Sequence, residues 1–235
     1  MPEAPAILPP AGRTISREMP AGASRRFTLD GDAALEAHLA RVCAEVGRGI
    51  RDAVPRRCLE GVLLGGGYGR GEGGVRRTDH GDAPYNDLEF YVLLRGPESW
   101  NEWRYGAALR RLAHRLGDTA GIEVEFKITS SARLRAGPVS MFTYDLVHGH
   151  HRVLGHAAIL QGCDHHARAG SIPPEEATRL LMNRCSGLLF ARRRLDQSGA
   201  DDGDLDFADR NVAKAALAHG VSQNWKGYWQ RNVAK

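Results

Sequence analysis

The 235-residue chain has no closely spaced cysteine pair: its four cysteines, Cys43, Cys58, Cys163 and Cys185, lie far apart. That spacing excludes a zinc ribbon and a C-x-x-C redox centre. Cys43 and Cys185 fall on expected apolar helix faces, which points to reduced, buried thiols. There is no apolar run of the roughly 18 residues a membrane span requires. The first residues lack the apolar segment of a secretory leader, and their prolines interrupt the helix of a transit peptide, so the cytoplasm is the expected compartment. A one-sided charge is also missing, with 32 basic against 28 acidic residues and a net +4. Such a balance predicts no nucleic-acid surface. Six histidines crowd between His148 and His166, yet no two have the i, i+4 spacing of a helical zinc site. No internal repeat is visible.

What remains is a composition of 42% hydrophobic and 26% charged residues, that of a globular domain with a substantial core. Residues 1–28 are rich in Pro, Ala, Gly and Arg and are expected to form a disordered arm. Leu35, Leu39, Val42, Val46 and Ile50 then recur at helical spacing, with Asp30 or Asp32 as cap and Pro55 as stop. Short strands are expected over 59–64, 88–94 and 122–128. Between the last two, Ser99 is expected to cap a helix with Trp103, Leu109, Leu112 and Leu116 on its inner stripe. After Pro173-Pro174 a helix is expected to bury Ala177, Leu181, Cys185, Leu188 and Leu195. A polar linker over 199–203, a helix over 207–219 and a last one over 221–233, with Trp225, Tyr228 and Trp229, complete the reading. The fold class is therefore α/β over 29–170, with a small helical region over 171–235.

The chemistry concentrates where the first strand stops. Leu63-Leu-Gly-Gly-Gly-Tyr-Gly-Arg-Gly-Glu-Gly73 passes from an apolar run into a glycine-rich turn, and glycine lets backbone N–H groups approach phosphates closely. The next apolar run opens with Asp87-Leu-Glu89. Alternation along a strand puts both carboxylates on one face and Leu88 and Phe90 on the other. Adjacent carboxylates repel, and a divalent cation relieves the repulsion. In Ile122-Glu-Val-Glu-Phe-Lys-Ile128 the apolar residues share one face, while Glu123, Glu125 and Lys127 share the other.

Gly66-Gly-Tyr-Gly-Arg-Gly-Glu72 followed by Asp87-Leu-Glu89 resembles the signature of the nucleotidyltransferase superfamily. The likeness spans roughly residues 58–155, where Met141-Phe142, Tyr144-Asp-Leu146 and Arg152-Val-Leu-Gly155 also resemble that family's later helix and strand. Gly67 stands where the minimal enzymes have serine, and the stretch to Asp87 carries an insertion, Arg76–Pro84. The resemblance implies a nucleotidyltransferase-type mixed sheet with covering helices. It also implies two Mg²⁺ ions on Asp87, Glu89 and a third carboxylate, Glu125 in preference to Glu123. Gly66, Gly67 and Arg70 would hold the phosphates of a nucleoside triphosphate such as ATP. The implied activity is transfer of a nucleotidyl group to the hydroxyl of a small molecule or sugar. The alternatives are a protein acceptor in a two-component system and a catalytically inactive nucleotide-binding module. The acceptor would lie against the helical region, whose polar faces carry Asn183, Arg184, Arg192, Asp206, Asp209 and Arg210.

Overall fold

The computed structural model describes residues 26–197 and 199–223. Helix α1, Ala33–Ala53, buries the expected stripe, and Asp32 caps it by accepting from the Leu35 amide at 2.7 Å. The amides of Leu35 and Asp82 hold the Asp32 carboxyl below its ordinary range. Strand β1, Leu59–Leu64, follows, then a short helix α2, Gly66–Arg70. Next come β2, Val75–Thr78, β3, Gly81–Pro84, and β4, Leu88–Leu94. Helix α3, Glu98–Ala120, leads to β5, Val124–Thr129. Two short helices, α4 (Ser131–Ala136) and α5 (Met141–His148), precede β6, His151–Gly155. Helices α6, Glu175–Leu195, and α7, Asp202–Gln223, end the described chain.

The fold is mixed α/β. Its main sheet has the order β5-β4-β1-β6, with β4 and β5 parallel and the other pairs antiparallel. A parallel pair needs a crossover, and α3 supplies it. Strand β4 is central and covered on both faces. Leu88, Phe90, Val92 and Leu94 meet α1 and α3 in the principal core. Tyr91 and Leu93 meet Leu63, Leu134, Leu146 and Ile159 in a second cluster on the opposite face. The carboxylate row of β4 opens onto this second face, which positions the site.

Several expectations are corrected. The Arg76–Pro84 insertion, given no secondary structure from the sequence, falls within the β2–β3 hairpin, docked on the start of α1. Asp82 accepts from the Asp32 amide at 2.7 Å, and Arg77 pairs with both Asp30 and Asp82. The disordered-arm expectation for residues 1–25 lies outside the described residues. Phe27 and Thr28 are buried instead, with the Phe27 amide donating to Glu36 at 2.8 Å and its carbonyl accepting from Gly73 at 2.9 Å. Helix α3 begins one residue before Ser99, with Pro97 as its N-cap. Trp103 points outward, 72% exposed and stacked on Trp100, because α3 covers the sheet with its other side.

Helix α6 packs mainly on α7, so only Ala191 of its residues is buried; Cys185 is exposed and Leu195 is 39% exposed. Helix α7 absorbs Asp202 and Gly203 from the expected linker and runs unbroken through His219 to Gln223. The expected helix over 221–233 therefore begins inside α7, while Trp225, Tyr228 and Trp229 lie outside the described residues. Among the described residues, two hydrogen bonds tie this helical hairpin to the sheet domain. The Met141 amide donates to Glu176 at 3.0 Å, and the Tyr85 hydroxyl donates to Asp206 at 2.6 Å beneath the Arg210 guanidinium. Among the described residues, no helix is long and apolar enough to cross a membrane.

Candidate metal centre

The glycine-rich stretch is a tight junction between β1 and the carboxylate strand. The Gly65 amide donates to the Glu89 carbonyl at 2.9 Å, locking the end of β1 against β4. Gly66 has φ +61°, a left-handed conformation that glycine adopts without strain, and its α-carbon faces the Glu89 carboxylate. Gly67 lies one step further along α2. Gly69 packs so closely on β1 that a Cβ would stand 2.3 Å from the Leu64 carbonyl oxygen. The guanidinium of Arg70 pairs with Glu72 at 3.1 Å and Asp145 at 3.2 Å. Burial raises the Asp145 carboxyl above its ordinary range, and Arg70 offsets only part of that.

Tyr68 carries the junction across to Asp87. Its buried hydroxyl donates to the Gly74 carbonyl at 2.7 Å and accepts from the Tyr85 amide at 3.0 Å. Burial raises the Tyr68 phenol, so it stays a donor at neutral pH. The bonds fix both ends of the hairpin, two residues before Asp87. Tyr68→Phe removes both bonds, while the Tyr85 amide keeps its own bond to the Gly74 carbonyl at 3.2 Å. The expected cost is about 0.5–1.5 kcal/mol of stability, read as a lower midpoint in urea with an unchanged slope.

Parallel register sets Glu89 beside Glu125, and the Leu88 amide donates to the Glu123 carbonyl at 2.8 Å. One carboxylate oxygen from each of Asp87, Glu89 and Glu125 lies within 4.8 Å of the others. Glu123 is exposed and outside this group. Asp87 is exposed and makes no hydrogen bond or ion pair among the described residues. Glu89 is engaged through both oxygens. The Tyr91 hydroxyl donates to Oε2 at 3.2 Å, and the Lys127 ammonium lies 2.9 Å from Oε1. The same ammonium lies 3.2 Å from Glu125 Oε2. Burial, reinforced by the negative charge of Glu89, pushes the Tyr91 phenol far up. Burial alone would lower the Lys127 ammonium; its bonds to Glu89 and Glu125 outweigh that and hold it above its ordinary value.

Lys127 and Tyr91 are the members that sequence reasoning assigned no role. The signal was present, since each stands two residues after a carboxylate of its own strand and so on the same face. The donor set is three carboxylates, hard oxygens of the kind that could hold a hard divalent cation. Glu125 also borders a groove of about 640 Å³ between α3 and β5, floored by Leu109, Val124 and Phe126. None of the residues lining that groove comes from α6 or α7. Of the polar residues expected to face an acceptor, Asp206 and Arg210 instead hold Tyr85. Compared with protein-family models, curated proteins and solved structures, the chain matches none.

Proposed function

We propose that this chain is a Mg²⁺-dependent nucleotidyltransferase, moving a nucleoside monophosphate group from a nucleoside triphosphate to an acceptor hydroxyl. The observation that carries the reading is the approach of Asp87, Glu89 and Glu125 to within 4.8 Å, beside the glycine junction at Gly66. Asp87, Glu89 and Glu125 are the residues that would hold Mg²⁺. Bound there, the cation supplies positive charge to the phosphates and lowers the pKa of the acceptor hydroxyl. The acceptor oxygen bonds to the α-phosphorus as the bond to pyrophosphate breaks.

The protein's own groups have distinct tasks. Tyr91 orients Glu89 by donating to one oxygen, while the other meets the Lys127 ammonium that also reaches Glu125. Gly66 and Gly67 bring backbone amides close to the carboxylate site, where no side chain obstructs a phosphate. Arg70 is held by Glu72 and Asp145, so its contact with a phosphate would come at the expense of one of those pairs.

The test is release of pyrophosphate from each of the four nucleoside triphosphates with Mg²⁺ and a pool of small-molecule hydroxyl acceptors. Glu125→Gln is expected to lower the rate about a hundredfold, some 2.7 kcal/mol of transition-state stabilisation, because it removes a negative ligand charge. Glu123→Gln, outside the cluster, is expected to stay within about threefold of the parent, as for a surface change away from the chemistry. Equal losses for the two variants would sink the assignment of the third carboxylate.

A further inference from the structure

Lys127 stands where a cation shared by Glu89 and Glu125 would stand. Its ammonium is 2.9 Å from one carboxylate and 3.2 Å from the other, and both carboxylates belong to the cluster that Asp87 completes. The local ledger is three negative charges and one positive, a net of −2. The ammonium and an incoming ion need the same carboxylates, and at such short range their charges repel. The lysine can yield without disturbing the sheet: its side chain is 39% exposed and its four-carbon stem is flexible, whereas Glu89 is tethered by Tyr91.

We propose that Lys127 is a tethered counter-cation that holds the carboxylates together before metal binds, competes with the first divalent ion, and pairs with triphosphate once displaced. The inference rests on the nucleotidyltransferase reading and adds a linkage to it. Released from Glu89 and Glu125, the ammonium gains a new anionic partner only when phosphate arrives. Cation and triphosphate therefore favour each other's binding, and by reciprocity the factor is the same in both directions.

The experiment measures Mn²⁺ binding by electron paramagnetic resonance in the full chain and in Lys127→Met. Each is titrated with and without an ATP analogue that has a non-transferable α,β-methylene bridge. Without nucleotide, Lys127→Met is expected to bind Mn²⁺ about tenfold more tightly, the effect of deleting a positive charge a few ångströms away. The wild type is expected to bind Mn²⁺ several-fold more tightly when the analogue is present, and the variant to lose most of that enhancement. If the variant binds Mn²⁺ no better than the wild type, Lys127 only positions the carboxylates and the inference is overturned while the metal centre stands. An enhancement of equal size in both chains overturns the pairing with triphosphate. If neither chain binds Mn²⁺, the metal-centre reading itself falls. Should Lys127→Met not fold, Lys127→Gln takes its place, with the Mn²⁺-induced rise in melting temperature expected to exceed that of the wild type.

Discussion

Asp87→Ala should reduce Mg²⁺-dependent nucleotidyl transfer about a thousandfold, the loss of some 4 kcal/mol of charge stabilisation in the transition state. Its melting temperature should stay within about 2 °C of the parent's, as for an exposed change that unpairs nothing. The two halves of this expectation have one structural source. Asp87 is the exposed member of the cluster and has no hydrogen-bonding or ion-pair partner among the described residues. Its removal leaves no orphaned group and relieves repulsion with Glu89 and Glu125. Glu89 is different: truncating it would strand the Tyr91 hydroxyl and leave Lys127 paired with Glu125 alone, mixing stability with chemistry. Asp87 therefore separates the two. A variant with parental turnover would show that Asp87 holds no cation that matters to the reaction.

Gly69→Ala should lower stability by about 3 kcal/mol, at the upper end of the cost of overpacking. The melting temperature should fall by roughly 6–12 °C in a chain of this size. A Cβ there would stand 2.3 Å from the Leu64 carbonyl oxygen, 2.9 Å from its carbon and 3.4 Å from the Gly149 oxygen. All three are backbone atoms, so no rotamer change relieves the clash; α2 must lift from β1. Because α2 abuts Glu89 and carries Tyr68, the lift should also loosen cation binding. Gly66→Ala is the control. Its Cβ would meet only Glu89 Oε2, at 3.5 Å, so the cost is the left-handed backbone alone, about 1–2 kcal/mol. If Gly69→Ala melts with Gly66→Ala, close packing of α2 on β1 does not govern the junction.

Much of the sheet was legible because its strands bury one or both faces. The runs at 59–64 and 88–94 stand as strands with those bounds, and the alternation from Ile122 to Ile128 placed Glu125 and Lys127 on one row. The ion pair from Lys127 to Glu89 was not legible, because it depends on parallel register between two strands that α3 separates in sequence. The β2–β3 hairpin was hidden for another reason. Arg76–Pro84 is polar on both faces, and its docking on α1 rests on Asp32, Arg77 and Asp82 rather than on an apolar pattern. In α6 the spacing of Leu181, Cys185 and Leu188 indicated a helix but not how much of its surface would be covered. Among the described residues α6 packs mainly on α7, which leaves Cys185, Leu189 and Phe190 exposed.

Among the described residues, strand β5 is the last strand of its sheet, with only β4 beside it. Such an edge presents unpaired amides and carbonyls to any other extended chain, and proteins commonly guard it with charge. Here the guards are Glu123, Glu125 and Lys127, two of which belong to the candidate centre. Residues that would gather a cation thus also put charge on the open edge. Neutralising them to disable the site is expected to strip that guard as well, so the variant should associate with its own kind more readily as it becomes less reactive.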